Sequence, residues 1–158
     1  MKAHSTLFIL GLITLTVISC SYPSYNRTGY RNRSEGDLRK SALSWLNTPY
    51  RWGGMSEKGI DCSGLVCAIY RDVYGLKLPH QSAQLYRLGK PVTLRNIQPG
   101  DLVFFRTDKR RTVSHVGIYL GKEEFIHASS SRGVILSRLA RSYYRKRLMG
   151  IRRLKKSP

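Results

Sequence analysis

A cysteine in a glycine-flanked loop is the first candidate for chemistry in this chain. Cys62 lies in the stretch GIDCSG, residues 59–64, and the apolar residues after it recur at helical spacing as far as Gly75. The pattern predicts that Cys62 occupies the first turn of a helix. Free backbone N–H groups there favour a thiolate, and Asp61 or Ser63 is available as the capping side chain. Taken alone, these residues are equally compatible with a nucleophile and with an inert buried cysteine.

Two histidines lie in neighbouring β-rich runs further along the chain. His115 belongs to the run 114–120 and His127 to the run 125–129, and the two positions are equidistant from Gly121. A hairpin loop with an odd number of residues centred there makes the histidines a directly opposed pair, with Cβ atoms about 5 Å apart. A loop of even length places them on opposite faces of the sheet.

The three side chains together suit nucleophilic catalysis. That chemistry needs a thiolate, an imidazole that takes its proton and later protonates the leaving amine, and a polar group that fixes the imidazole tautomer. We therefore interpret Cys62, His115 and His127 as nucleophile, base and orienting residue. His4 lies in the first twenty residues, which resemble a secretory signal, and His80 has no evident partner, so neither is assigned to the site. The two paired histidines lack a third ligand with the spacing of a zinc site, so no metal or other cofactor is expected.

The elements that position these residues follow from periodicity and turn residues. Helices are predicted first and strands afterwards, which gives an α+β fold with N-terminal helices packed on an antiparallel sheet. The predicted helices cover a segment from about 34 to the residue before Pro49, then 62–74 and 82–88, and the predicted strands are 91–93, 102–105, 114–120, 125–129, 133–137 and 148–154.

The first twenty residues resemble a secretory signal. Lys2 precedes an apolar run, 7–18, that is too short to span a bilayer comfortably. The run ends in VISC, residues 17–20, which resembles the bacterial lipobox and predicts removal of residues 1–19 with lipidation of Cys20. The alternative is plain cleavage, with Cys20 incidental. Because Ser21 and not Asp follows, the sorting rules for Gram-negative lipoproteins point to the outer membrane, facing the periplasm.

The rest of the chain divides into a tether and a domain. Residues 20–33 are rich in Ser, Tyr, Asn, Gly and Arg and predict a flexible tether, and residues 34–158 form the domain. With Cys20 acylated, the remaining thiols are Cys62 and Cys67. Five residues apart on one helix, they point roughly 140° apart, so a disulfide between them would break the helix. Both are expected to be free, with Cys67 buried.

The charge of the chain points to anionic partners. The 158 residues include 28 Lys and Arg against 9 Asp and Glu, a net charge of +19, while 41% hydrophobic residues suffice for one folded domain. Nine basic and no acidic residues follow from Arg138 to the C-terminus, which by itself suggests nucleic acid. An exported, lipidated chain rarely meets nucleic acid, so we favour attraction to peptide carboxylates and anionic lipid.

Five ordered motifs carry a family resemblance. TPYRWGG (48–54), GIDCSG (59–64), PGDLVFF (99–105), HVGIY (115–119) and FIHAS (125–129) closely resemble the NlpC-type cell-wall peptidases, and the likeness extends from about 34 to 154. The resemblance implies a papain-like cysteine peptidase core that cuts murein stem peptides or crosslinks through an acyl-enzyme. It also implies a small lipid-anchored protein, which we expect to be a monomer without a cofactor.

The resemblance assigns residues one by one. The family's nucleophile falls on Cys62, its base on His115 and its orienting residue on His127. Its tyrosine beside the oxyanion position falls on Tyr50, and the residues that flank the cysteine and contact substrate fall on Asp61 and Ser63. His80 stands where close relatives often carry arginine. A non-catalytic wall-binding module on the same fold remains an alternative, and the sequence does not specify which murein bond is cut.

Overall fold

The computed structural model describes residues 35–109 and 112–155. The signal peptide, the lipidated Cys20 and the tether predicted for residues 1–33 lie outside this range. The elements are α1 (Glu35–Leu43), β1 (Met55–Ser56), β2 (Gly59–Ile60), α2 (Cys62–Tyr74), α3 (Ser82–Leu85), β3 (Lys90–Val92), a 3₁₀ turn (Leu94–Asn96), β4 (Leu102–Phe105), β5 (His115–Gly121), β6 (Glu124–Ser129), β7 (Gly133–Arg138), α4 (Ser142–Arg145) and β8 (Leu148–Arg153). None of the helices in this range is long and apolar enough to cross a membrane.

Helix α2 is the central element of the fold. It begins at Cys62 after the N-cap Asp61 and ends at Tyr74 before the C-cap Gly75, whose φ of +66° is the left-handed conformation that favours glycine. Its core-facing residues are buried among side chains of α1 and of the sheet. The sequence predictions for both ends of this helix are therefore confirmed.

Helix α1 is shorter than predicted, because it ends at Leu43 and not just before Pro49. The residues after it turn away to meet β7. The Asn47 N–H donates to the carbonyl of Val134, and the Val134 N–H donates to the carbonyl of Thr48. These tertiary hydrogen bonds replace the further helical turn that periodicity suggested.

Six strands form an antiparallel sheet in the order β3-β8-β4-β5-β6-β7. One face packs against α1 and α2 through a core that includes Phe104, Val116 and Ile118. The other face carries a smaller cluster in which Phe105 and Phe125 meet Tyr144. The predicted α+β arrangement is confirmed, although α4, which supplies Tyr144, was missed because four residues give no readable helical period.

The β5–β6 turn decides how the two candidate histidines face each other. Gly121 pairs with Glu124, so the loop is the two-residue pair Lys122 and Glu123, both with positive φ. A loop of even length alone would put His115 and His127 on opposite faces. However, the register shifts by one residue between Tyr119 and Gly121, as a β-bulge does, and this restores the shared face.

The two histidines are therefore not directly opposed across the strands, as a loop with an odd number of residues would have made them. In the register after the shift, Ile118 pairs with Ile126, so Gly117 lies opposite His127 and His115 lies on the diagonal. A Cβ atom on Gly117 would approach the Cβ of His127 to 3.2 Å and a ring carbon of Phe125 to 2.7 Å. The missing side chain at residue 117 thus provides the space in which the two imidazoles meet.

Candidate active site

The Asp61 carboxylate organises the loop that carries Cys62. One oxygen, Oδ1, accepts hydrogen bonds from the Gly64 N–H at 2.7 Å and the Ser63 hydroxyl at 3.0 Å, and the other, Oδ2, accepts one from the Gly53 N–H at 2.9 Å. Burial raises the pKa of this carboxyl, but the hydrogen bonds from Gly64, His80 and Ser63 outweigh burial, so the pKa lies below its usual range. The carboxylate therefore fixes the helix N-terminus to the 50–54 loop.

These contacts bear on the flanking roles expected from the family resemblance. Asp61 is 7% exposed and Ser63 is also buried, with its hydroxyl turned toward Asp61. Both side chains are thus occupied within the protein. The contacts seen for these two side chains are structural, and their direct contact with substrate stays a prediction.

His80 does have a partner, contrary to the sequence interpretation. Its Nε2 atom lies 2.9 Å from Oδ1 of Asp61, and the imidazole is 26% exposed. A Cβ atom on Gly64 would lie 3.1 Å from the same nitrogen, so glycine lets the ring lie against the first turn of α2. The histidine follows a proline and comes from a distant loop, which is why sequence periodicity did not reveal the contact.

The Cys62 thiol sits at the N-terminus of α2, beside the start of β5. It is half-buried, packs against the main core and forms no disulfide. Burial raises its pKa to about 11, the N–H of Val116 lowers it, and the negative charge of Asp61 raises it. The contact with Val116 places the sulfur next to the strand residue that follows His115.

The expected thiolate is not the form favoured in the free protein. The backbone N–H groups of Ser63 and Cys62 do lower the thiol pKa, as predicted for a helix N-terminus, but burial outweighs them. Burial also lowers the pKa of His115 to about 4. At neutral pH the free protein therefore holds Cys62 as a thiol and His115 as a neutral imidazole, so a base must remove the thiol proton during reaction.

This protonation state predicts the pH dependence of alkylation. The thiolate fraction of a group with a pKa of about 11 is about 10⁻⁴ at pH 7 and rises about tenfold per pH unit. We expect the rate at which iodoacetamide modifies Cys62 to rise steadily from pH 6 to 10, measured by mass spectrometry of the intact chain. The Cys62→Ala protein supplies the background from Cys67. A plateau below pH 7 would instead indicate a preformed thiolate and imidazolium pair.

His115 and His127 form the hydrogen-bonded pair that the sequence suggested. Nε2 of His115 lies 2.8 Å from Nδ1 of His127, with the rings nearly perpendicular at 89°. His127 is 2% exposed and stacks on Phe125, with ring centroids 5.0 Å apart. Burial, followed by the positive charges of His115 and Arg132, lowers the pKa of His127. The pair is thus neutral, and because His115 meets His127 through Nε2, its second ring nitrogen, Nδ1, is not used in this hydrogen bond.

Two hydroxyl groups on the far side of His127 were missed by sequence reasoning. Nε2 of His127 lies 3.0 Å from the Ser137 hydroxyl and 3.1 Å from the Tyr144 hydroxyl. Ser137 follows the alternation of β7 onto the same sheet face as His127, which was a readable sign. Tyr144 gave no such sign, because it arrives from α4 through tertiary packing.

Tyr50 approaches the thiol from the loop before α2. It forms an isolated bridge with Ile60 and packs partly buried against the main core. Burial raises its pKa, and the charges of Cys62 and Asp61 raise it further. The hydroxyl therefore stays protonated near Cys62, where it can donate a hydrogen bond. Trp52 lies on the same loop and is 81% exposed.

Comparison with known proteins identifies the type of domain. The sequence profile of the NlpC/P60 family matches residues 47–153. The chain is 40% identical over 152 residues to a probable endopeptidase NlpC of Escherichia coli (strain K12), covering 93% of this chain and 99% of that one. It is 44% identical over 110 residues to a protein of the same organism named murein DD-endopeptidase MepS/murein LD-carboxypeptidase, covering 70% of this chain and 57% of that one.

A solved structure gives the same result for the fold. A crystal structure of an NlpC/P60 family protein from Bacillus cereus superposes with a TM-score of 0.70 at 34% identity, over 76% of this chain and 40% of that chain. This likeness confirms the α+β, papain-like fold predicted from the sequence. The similarity therefore extends beyond the site to the arrangement of the sheet and helices.

Proposed function

Because the chain belongs to the NlpC/P60 family, we propose that it is a murein endopeptidase, a cysteine peptidase that hydrolyses amide bonds of peptidoglycan stem peptides or crosslinks. The observation that carries this function is the meeting of two features. The N-terminus of α2 presents Cys62 beside Val116, and the residue before Val116, His115, is hydrogen-bonded to the buried His127.

The proposed reaction uses these groups in two stages. His115 takes the proton of the Cys62 thiol as sulfur attacks the amide carbonyl carbon, and the resulting imidazolium protonates the leaving amine as the carbon–nitrogen bond breaks. Water then attacks the thioester, gives a proton to His115 and releases the acid, with the proton returning to sulfur. His127 keeps the imidazole of His115 in position throughout. Each proton taken is returned, so the site is regenerated.

The oxyanion formed in each stage needs hydrogen-bond donors. The backbone N–H of Cys62 lies at the helix N-terminus, where N–H groups have no intrahelical acceptor. The protonated hydroxyl of Tyr50 is the second donor that we assign, because the charge of Cys62 acts on its pKa. Asp61 holds both donors in place through its bonds to the 50–54 loop and to the first turn of α2.

A non-catalytic wall-binding module is the main alternative. The histidine pair argues against it, because the surroundings of both imidazoles lower their pKa values and disfavour their charged forms, and a binding surface gains nothing from this. The basic composition, by contrast, suits either function, since stem peptides carry carboxylates.

The test of the proposed function is direct. Purified protein is incubated with intact murein, and the muropeptides released are compared by mass spectrometry with those from the Cys62→Ala protein. We expect new peptide termini only in the digest with the unsubstituted protein. The masses of the released fragments identify the bond that is cut, either γ-D-glutamyl to diaminopimelate or D-alanyl to diaminopimelate. Binding of murein without new termini would favour the wall-binding module.

The orienting role proposed for His127 predicts a graded series. His127→Asn and His127→Gln keep a hydrogen-bonding group toward His115, whereas His127→Ala removes it and leaves Nε2 of His115 unpartnered in a buried site. We expect the amide variants to lose less kcat than the alanine variant, which should fall about 10- to 100-fold. Muropeptide release by variants with matched circular dichroism spectra measures this. Equal inactivity of Asn and Ala would show that His127 acts more directly.

We also propose that the protein is lipid-anchored in the cell envelope, at the outer membrane facing the periplasm. The support is the VISC sequence at 17–20 followed by Ser21. Several acyl chains on Cys20 would make the anchor stable, and a flexible tether of residues 20–33 spans about 20 Å on average. The domain would then act on murein close to the membrane, where its positive charge is attracted to anionic lipid.

Attachment through Cys20 has its own prediction. Cells carrying the unmodified protein and cells carrying Cys20→Ala are fractionated, and the intact mass of the mature form is measured. We expect the unmodified protein in the membrane fraction with the mass of acyl chains on its first residue, and the variant in the soluble fraction. An unacylated N-terminus on the unmodified protein would contradict lipidation and leave the catalytic proposal untouched.

A further inference from the structure

The hydrogen-bonded chain does not stop at His127. Behind it, the Ser137 hydroxyl and the Tyr144 hydroxyl both lie within hydrogen-bond distance of Nε2, and Ser137 donates to Tyr144 at 3.3 Å. Both residues are as buried as the imidazole they contact, with 5% and 7% exposure. No bulk water competes for Nε2 in such a position, so these two hydroxyls decide where the proton of His127 resides.

A histidine in the orienting position needs support that an amide does not. The carbonyl oxygen of an asparagine accepts a hydrogen bond without further help. A neutral imidazole accepts at one nitrogen only when its proton is on the other. For His115 to keep its proton on Nε2 and present a free Nδ1 to the thiol, His127 must accept at Nδ1 and therefore carry its own proton on Nε2.

The positions of the two hydroxyls allow this tautomer. When the Ser137 hydroxyl donates to Tyr144, its lone pairs are free to accept from Nε2 of His127. In this arrangement His115 donates a hydrogen bond to His127, His127 donates to Ser137, and Ser137 donates to Tyr144. Each hydrogen bond is thus directed away from Cys62. Hydrogen bonds aligned in one direction polarise one another and strengthen the arrangement.

The opposite arrangement would disable the base. If Tyr144 donated to Nε2, His127 would carry its proton on Nδ1 and donate to His115. His115 would then carry its proton on Nδ1, and the thiol would face an N–H group instead of a lone pair. The tautomer of His127 therefore depends on whether the two hydroxyls accept a hydrogen bond from Nε2 or donate one to it.

We infer that Ser137 and Tyr144 are positioning residues that hold the neutral His127 in its Nε2–H tautomer, so that His115 is kept as a base toward Cys62. The inference rests on the proposed function for its consequence in catalysis. The tautomer itself is a property of the resting protein and is measured without any substrate.

Two measurements test the inference separately. In ¹⁵N-detected NMR of the full chain, we expect His127 in the Nε2–H form, and we expect Ser137→Ala combined with Tyr144→Phe to shift it toward Nδ1–H. The phenylalanine keeps the ring that packs against Phe125 and Phe105. An Nδ1–H tautomer in the unsubstituted protein, or a tautomer that the double substitution leaves unchanged, would overturn the inference even if the protein hydrolysed no murein.

The kinetic test uses the orienting residue itself. We expect Ser137→Ala to lower kcat about 10- to 100-fold with little change in KM. In a His127→Asn background the same substitution should cost less than about threefold, because the amide needs no acceptor behind it. The exposed neighbour Tyr143, substituted by phenylalanine, is the control. Equal losses in both backgrounds would mean that Ser137 serves packing alone.

Discussion

Cys62→Ala is expected to abolish murein hydrolysis, with kcat/KM reduced at least about 10⁴-fold, because the proposed acyl-enzyme forms on the sulfur that this substitution removes. Cys62→Ser should be nearly as inactive, since a hydroxyl is far harder for His115 to deprotonate than a thiol. Both variants should fold, because Asp61 still caps α2 through the Gly64 N–H. Muropeptide release and thermal unfolding measured on the same preparations separate the two effects.

The matched control is the second cysteine of the same helix. Cys67 is 5% exposed, and its sulfur lies 3.4 Å from the carbonyl of Leu78. Cys67→Ala should keep full activity and lose about 1 kcal/mol of unfolding free energy through the small cavity it leaves. Measurable hydrolysis by Cys62→Ala would remove cysteine catalysis altogether. Alkylation of Cys67 in preference to Cys62 would contradict the assignment of the accessible thiol.

His115→Gln is expected to lower kcat about 10²- to 10⁴-fold, the usual contribution of a general acid and base. Glutamine can still hydrogen-bond to His127, but it cannot take the thiol proton. The acid limb of kcat/KM in the unsubstituted protein should also fall near pH 4 and not near 6.5, because burial lowers the pKa of His115 and keeps the imidazole neutral through mildly acidic solution. Initial rates of muropeptide release from pH 4 to 9 measure both effects.

The control for this substitution is His80→Gln. That imidazole contacts Asp61 and is outside the proposed proton path, so its loss should affect the stability of the helix N-terminus more than turnover. If His115→Gln kept activity within tenfold of the unsubstituted protein, the thiol would need another base. An acid limb of kcat/KM at pH 6 to 7 would contradict the lowered pKa of His115, because kcat/KM reports ionisation of the free protein.

Local sequence was sufficient for the elements that depend on neighbouring residues. Asp61 before an apolar helical period, with Gly75 after it, specified both ends of α2, because caps act on backbone groups within one turn. The same reasoning placed Cys62 in the first turn and predicted that Cys62 and Cys67 are free. Alternation in the runs around Gly121 was enough to predict the hairpin that carries the two histidines.

Local sequence failed where one residue changes a register. The periodicity of β5 and β6 shows which residues alternate, but it does not show the bulge between Tyr119 and Gly121. That single extra residue reverses the parity of a two-residue loop and returns His115 and His127 to one face. A bulge is decided by how both strands pack against their neighbours, so it cannot be read from either strand alone.

The sequence by itself determined the kinds of groups in this protein: a cysteine in the first turn of a helix, two histidines at hairpin positions, and a resemblance strong enough to name the family. The tertiary structure decided their states. Burial, which is a property of the assembled core, raises the pKa of Cys62 and lowers that of His115, overriding the thiolate expected from the helix N-terminus. The tertiary structure also brings Tyr144 and Ser137 into contact with His127, and His80 into contact with Asp61. Residues this distant in the chain meet only when the sheet and helices pack together.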